Sequence, residues 1–150
     1  YGAGTTTTDG VTTVHMQVFN SGVGPAKIES AELTWKGVSY RSDREFLQAC
    51  CNLEPASDTP FDSDVFVNYV LRPGDQVRFL QFSKAADPAV FSALQRAILS
   101  PDLQLNICYC SIFDECWQGD LTTFNLKPKH VDACVVSKVP FDGGFSKGKT

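Results

Sequence analysis

The 150-residue sequence lacks several features that would limit its function at once. It has no run of about 18 consecutive apolar residues, so no segment is expected to cross a bilayer as a helix. It is also poor in basic residues, with 13 Lys+Arg against 17 Asp+Glu and a net charge of -4. Binding to nucleic acid or to an anionic membrane surface depends on basic patches, so we expect neither kind of partner.

Recognisable catalytic motifs are missing as well. The sequence contains no G-x-S-x-G elbow, no H-E-x-x-H helix, no Walker loop and no G-x-G-x-x-G fingerprint. Its two histidines are isolated, because His15 lies on the polar side of a predicted strand and His130 in a basic connection. We therefore predict a protein that is not an enzyme, with no catalytic residue and no bound cofactor.

Acidic residues are plentiful, but their spacing does not indicate a metal site. Asp58, Asp62 and Asp64 fall in one loop, and Asp114, Glu115 and Asp120 lie around a predicted hairpin. The loop lacks the spacing and the glycine of an EF-hand, so we expect solvated carboxylates there. No metal ligand is predicted among them.

What the sequence does contain is strand patterning. Apolar and polar residues alternate with period two, as in Val14, Met16 and Val18 against Thr13 and His15, and this indicates half-buried strands. Eight such stretches are separated by turn residues: 11–19, 28–35, 38–41, 65–71, 76–82, 103–111, 116–125 and 131–139. Because strands and helices do not alternate strictly, we predict a mainly β fold, an antiparallel, immunoglobulin-like β-sandwich.

Two short helices are expected as insertions in this sandwich. Ser42 and Glu45 have the spacing of a capping box ahead of an apolar helical face. Asp87 followed by Pro88 is typical of an N-cap and first helical position, and apolar residues recur at helical spacing through 100.

The predicted domain covers most of the chain. Residues 1–10 are small and polar, so we expect a flexible segment behind a missing signal peptide or anchor. Residues 11–139 form the sandwich. Residues 140–150 are rich in glycine and lysine and are expected to be a flexible tail.

Six cysteines are more than a chain of this length needs for a stable core, because about 70% of its surface can be buried on folding. An even number favours disulfides in an oxidising compartment. A Cys110–Cys116 bond would bridge a hairpin, while Cys108 could pair with Cys134 or with the 50–51 pair. Adjacent cysteines rarely bond to each other, so separate partners are predicted for that pair. The disulfide candidates are Cys50, Cys51, Cys108, Cys110, Cys116 and Cys134.

A metal site is the alternative use of these cysteines. Thiolates of Cys108, Cys110 and Cys116, with one of the 50–51 pair, would suit zinc or Cu(I). The gaps between neighbouring cysteines do not match the two to four residues of zinc knuckles, which favours disulfides.

Aromatic residues are numerous for a sandwich of this size, and some of them are candidates for a recognition patch. The hairpin after residue 111 combines aromatic and acidic side chains. Its possible binding surface comprises Phe113, Asp114, Glu115 and Trp117.

Two motifs resemble a group of uncharacterised bacterial envelope proteins. The first is the N-x-G-x-G-P-A-x-I turn at 20–28, and the second is the Y-C-S-x-x-x-x-C-W hairpin at 109–117. The resemblance extends over about two thirds of the chain. It implies one N-terminal membrane anchor followed by a periplasmic, sandwich-like domain, and it implies no activity.

The sequence therefore predicts a non-enzymatic, disulfide-stabilised β-sandwich. We expect it in the periplasm or outside the cell, where it binds a protein or another envelope component, and an anchor to the inner membrane is the expected form of attachment. The alternative is a periplasmic protein that binds Cu(I) or zinc through its cysteines.

Overall fold

The structure is a computed structural model that describes residues 2–120 and 128–142. Its helices and strands are, in chain order, β1 (Gly2–Thr8), β2 (Val11–Phe19), β3 (Ala26–Trp35), β4 (Val38–Tyr40), α1 (Asp43–Cys51), β5 (Asp62–Ser63), β6 (Val70–Leu71), β7 (Gln76–Ser83), α2 (Pro88–Ile98), β8 (Leu103–Ser111), β9 (Cys116–Asp120) and β10 (Lys129–Val131).

These strands form two antiparallel sheets, as expected for a β-sandwich. Sheet A has the order β1-β2-β7-β5. Sheet B has the order β10-β9-β8-β3-β4, and β6 also pairs with β3. The predicted mainly β, antiparallel fold with two helices is confirmed, while its immunoglobulin-like topology stays a prediction.

Strand β1 corrects the expected flexible segment at 1–10. It pairs with β2 along its whole length, from Gly2 opposite Gln17 to Thr8 opposite Val11. The connection is the two-residue turn Asp9-Gly10, in which both residues have positive φ. Such a turn matches the natural twist of two antiparallel strands, so the hairpin forms although its first strand has few apolar residues.

Both helices begin where the capping patterns predict. At α1, the Ser42 side chain accepts a hydrogen bond from the Glu45 amide at 3.2 Å. The Glu45 carboxylate accepts one from the Arg41 amide, one residue before the cap. At α2, Asp87 accepts from the amides of residues 89 and 90, and Pro88 is the first helical residue. These bonds satisfy amides that no helical carbonyl can reach.

The core lies between the sheets and beneath the two helices. Alternate residues of β2 and β7 face inward from sheet A, and alternate residues of β3 and β8 do so from sheet B, as their burial shows. The largest fully buried side chains are Phe46, Phe66, Phe79, Phe82, Phe141, Met16, Leu33, Leu47, Leu80, Leu94, Leu103 and Leu105.

Residues 132–142, which we call the strap, correct two predictions about the C-terminal region. The predicted strand at 131–139 is largely absent, because β10 ends at Val131. The predicted flexible tail at 140–150 is wrong at its start, where Phe141 is fully buried against Phe66 and Phe79. Residues 143–150 of that tail, and 121–125 of the predicted strand 116–125, lie outside the described residues.

The strap is fastened to sheet B at several points. The Ser137 hydroxyl donates a hydrogen bond to the Glu32 carboxylate on β3. The Phe141 amide donates to the Ala31 carbonyl at 2.9 Å, and the Asp142 amide donates to the Arg41 carbonyl at 3.2 Å. Phe141 thus pairs with the edge of β3 between the part of β3 that pairs with β6 and the part that pairs with β4.

Candidate functional site

The hairpin between β8 and β9 carries most of the predicted binding surface. Its turn, residues 112–115, is here called the hairpin tip. Ser111 organises it, because its hydroxyl accepts hydrogen bonds from the amides of Phe113 and Glu115, and its own amide donates to the Glu115 carbonyl. Asp114 adopts the left-handed conformation that reverses the chain. These local bonds hold the tip in one shape.

The tip presents apolar side chains to solvent. Phe113 is 80% exposed and Ile112 is 66% exposed. Asp114 and Glu115 are exposed beside them. Three of the four residues proposed as a binding surface therefore lie together. Ile112 belongs with them although it was not among the predicted residues, and its position beside Phe113 in a turn was the available signal.

Trp117, the fourth residue of that surface, lies apart from the tip. It is opposite Tyr109 in the strand register and stacks on it, with ring centroids 5.9 Å apart. On its other side is His130 of β10, whose ring is 5.8 Å away in an edge-on arrangement. Partial burial in this row raises the pKa of the Tyr109 hydroxyl. Tyr109 continues the inward-facing residues of β8, so the row lies on the core side of sheet B.

A small cavity lies next to the hairpin tip. It has a volume of about 200 Å³ and is lined by Lys27, Glu29, Val70, Cys110, Ser111, Ile112 and Asp114. The two charged residues of β3 pair with each other, with Lys27 Nζ 3.3 Å from Glu29 Oε1. Half-exposed Val70 supplies an apolar wall. The cavity therefore combines polar and apolar surface at the end of sheet B where the tip projects.

Two disulfides meet behind this cavity, and we call their four sulfurs the sulfur cluster. Cys110 and Cys116 are opposite each other on β8 and β9 and form the predicted hairpin disulfide. Cys108 bonds to Cys134 of the strap, one of the two pairings left open for it. The two disulfides touch, because Cys110 Sγ lies 3.7 Å from Cys134 Sγ. The cluster results from the pleat, which places residues 108 and 110 on one face of the strand.

The remaining pair corrects a prediction. Cys50 and Cys51 were expected to have separate partners, but they bond to each other at the end of α1. The other four cysteines are already paired in sheet B and the strap, so no other partner is left for them. The 50–51 pair is therefore not part of the sulfur cluster.

The other candidate residues do not join this site. Asp62 forms part of β5 in sheet A. His15 lies on β2 opposite Gly4, and its pKa is lowered by burial and by the positive charge of Arg78. Among the described residues, three metal-ligating side chains lie close together: the sulfurs of Cys110, Cys116 and Cys134 are within 4.8 Å of one another.

No helix in the described ranges is long and apolar enough to cross a membrane. The chain matches no family model, no curated protein and no solved structure.

Proposed function

We propose that this chain is a non-enzymatic, disulfide-stabilised β-sandwich that binds another component of the cell envelope through the hairpin tip. The exposed pair Ile112 and Phe113 carries the proposal. Large apolar side chains held in a rigid turn lose little conformational entropy on binding, which favours an interaction surface. A neighbouring cavity gives the partner a hollow to fill.

The chemistry of the tip indicates what the partner presents. Phe113 would enter an apolar pocket, as aromatic anchors of interfaces do. The carboxylates of Asp114 and Glu115 would face basic side chains around that pocket, which adds electrostatic complementarity. We therefore propose a protein partner with an apolar hollow and a basic rim.

The proposed location rests on the cysteines. All six form disulfides, and structural disulfides persist mainly in oxidising compartments. This supports the periplasm or the extracellular space. The membrane anchor implied by the family resemblance stays a prediction.

The proposal is tested with Phe113→Ala, using the folded domain and isolated envelope proteins. A photo-crosslinking group introduced at Glu115 captures the partner, whose affinity is then measured with the purified proteins. We expect Phe113→Ala to weaken binding by roughly 30-fold, the effect of an anchor worth about 2 kcal/mol.

Leu99→Ala is the matched control, because Leu99 is also a large, 85% exposed apolar residue but lies at the end of α2. Its affinity should equal that of the wild type. Equal losses in the two variants would contradict a site at the tip. Turnover of an ester, glycoside or peptide substrate that one substitution abolishes would contradict a non-enzymatic function.

A further inference from the structure

The two disulfides of the sulfur cluster are in contact with each other. Disulfides in a sandwich have no need to touch, yet Cys110 Sγ and Cys134 Sγ are 3.7 Å apart. The sulfurs of cysteines 110, 116 and 134 all lie within 4.8 Å of one another, and Cys108 is bonded to the third of them. Three potential thiolates thus converge on one point of the fold, and a fourth, Cys108, is bonded to one of them.

We propose that, once both disulfides are reduced, Cys108, Cys110, Cys116 and Cys134 form a binding site for one thiophilic d¹⁰ cation, Zn²⁺ or Cu(I). Thiolates are the preferred ligands of both ions. This site is separate from the interaction proposed for the hairpin tip and does not depend on it.

The distances fit such a centre. A tetrahedral zinc with Zn–S bonds of about 2.3 Å places its sulfurs about 3.8 Å apart. The unbonded pair Cys110 and Cys134 is already at 3.7 Å. Each bonded pair has to open by about 2 Å from disulfide length, a distance that side-chain rotation supplies.

Reduction is the chemical step that the proposal requires. A dithiol reductant gives two electrons and two protons to each disulfide and becomes a cyclic disulfide itself. Two such steps break both S–S bonds and leave four thiols. The cation then replaces the protons of the thiols that bind it, so metal binding releases protons.

The fold should keep the four sulfurs together after reduction. Cys110 and Cys116 stay opposite each other in the β8–β9 ladder, which does not depend on the disulfide. Cys134 stays close because the strap is also held by Ser137 and by fully buried Phe141. The cation would therefore bind a site that is largely preformed.

The surroundings provide access to the cluster. The cavity beside the hairpin tip is lined in part by Cys110, which gives a reductant or an ion a path to the cluster. Lys27 is opposite Cys110 in the register of β3 and β8. Its ammonium group is paired with the Glu29 carboxylate, so the wall of the cavity carries charges of both signs beside the cluster.

The test compares oxidised and reduced protein without oxygen. The chain is reduced with a phosphine, desalted and titrated in separate arms with Zn²⁺ and with Cu(I) against a chromophoric competitor, and bound metal is counted by elemental analysis. We expect one ion per reduced chain in at least one arm and none in the oxidised chain. Absence of binding in both arms overturns the proposal.

Two variants assign the ligands. Cys134→Ser removes one of the four sulfurs and should weaken binding by at least about 100-fold, since even outer-shell changes cost 10–100-fold. The double variant Cys50→Ser with Cys51→Ser removes the pair outside the cluster and should bind as the wild type does. The proposal fails if the double variant at Cys50 and Cys51 loses metal binding, or if the Cys134→Ser variant binds metal as tightly as the wild type.

Circular dichroism covers the case in which reduction unfolds the chain. The near-ultraviolet signal of the stacked Tyr109 and Trp117 reports on sheet B. If reduction abolishes this signal, one equivalent of the cation should restore it, because binding to a folded site stabilises the fold. Metal binding without recovery of the signal would show that unfolded thiols are the ligands and would overturn the proposal.

Discussion

Asp43 is a buried carboxyl group at the first position of α1 with one satisfied oxygen. Its Oδ2 accepts a hydrogen bond from the Ser63 hydroxyl at 2.5 Å. Its Oδ1 has no hydrogen-bonding partner in the described part of the chain. Burial raises the pKa of Asp43 to about 8, and the hydrogen bond from Ser63 opposes the rise only in part. The folded protein therefore keeps this group neutral at pH 7.

The neutral carboxyl makes stability depend on pH. Between about pH 4 and pH 8 the folded chain holds a proton on Asp43 that the unfolded chain has lost, so the free energy of unfolding falls as the pH rises. The decrease is at most about 1.4 kcal/mol per pH unit and ends above the folded pKa. Below pH 4 both states are protonated and the contribution is constant.

Asp43→Asn isolates this effect, because an amide does not titrate. We expect the difference in unfolding free energy, wild type minus variant, to fall between pH 5 and pH 8 and to level off by pH 9. Urea unfolding at several pH values measures it. His15 titrates in both proteins and cancels in the difference. A difference that is flat across this range would contradict a raised pKa for Asp43.

Lys36 occupies a backbone conformation that suits asparagine better. It has a φ of 49° and precedes Gly37 in the two-residue turn between β3 and β4. Asparagine and aspartate tolerate this left-handed region better than lysine does. Because Lys36 Nζ also lies 5.3 Å from the Trp35 ring centroid, the reference is Lys36→Met, which removes that charge as well. Lys36→Asn should be more stable than Lys36→Met by about 0.5–1 kcal/mol, measured by urea unfolding.

The other two-residue turn provides the control for Lys36. Asp9 precedes Gly10 with a φ of 52° and already is a residue that favours the turn. Asp9→Asn should change the unfolding free energy by less than about 0.5 kcal/mol. Equal effects at positions 9 and 36 would show that backbone conformation is not the cause.

Among the structural elements, the strap places one large side chain in the core. Phe141 is fully buried and contacts Phe66 and Phe79 in the core. Phe141→Ala leaves a cavity and should cost about 3–5 kcal/mol of stability. Thermal or urea unfolding provides the measurement.

Val135 serves as the control within the same strap. It is 81% exposed, so Val135→Ala should change stability by less than about 0.5 kcal/mol. If Phe141→Ala behaves like Val135→Ala, the strap does not end in the core.

The elements that the sequence predicted well are those that local patterns determine. The N-caps at Ser42 and Asp87 and the alternating strand at 103–111 are formed by neighbours in the chain. Strand β1 was missed although Asp9-Gly10 is a strong hairpin signal, because its threonines and glycines do not show apolar alternation. Phe141 was missed because it fills a gap in β3 that only the assembled sheet creates.

The candidate site was likewise predicted well where neighbours in the sequence form it, and poorly where strand pairing forms it. Phe113, Asp114 and Glu115 were found together because a turn keeps sequence neighbours close. Trp117 was grouped with them, but it lies in β9, where cross-strand register and not sequence proximity decides its neighbours. Hairpin geometry was enough to predict the Cys110–Cys116 bond. The Cys50–Cys51 bond depends on how the fold pairs the other four cysteines, which the sequence does not show.

For the whole molecule, the disulfides differ in how much of the chain they enclose. Cys108–Cys134 joins residues separated by 26 positions and fastens the strap to sheet B. Cys110–Cys116 spans only 6 positions within a hairpin that strand pairing already closes. In the chain-entropy description, the disulfide that closes the larger loop raises the free energy of the unfolded state by about 3.5 kcal/mol. The one that closes the smaller loop raises it by about 2 kcal/mol.

Two double variants test this difference. Cys108→Ser with Cys134→Ser should lower the free energy of unfolding by about 3.5 kcal/mol, and Cys110→Ser with Cys116→Ser by about 2 kcal/mol. Urea unfolding of the oxidised proteins measures both. Equal losses, or a larger loss for the hairpin pair, would contradict the expectation that the disulfide closing the longer loop contributes more stability. The larger loss is expected at the strap because the Cys108–Cys134 bond joins β8 to a segment outside the β8–β9 hairpin, whereas Cys110 and Cys116 are already opposite each other in that hairpin.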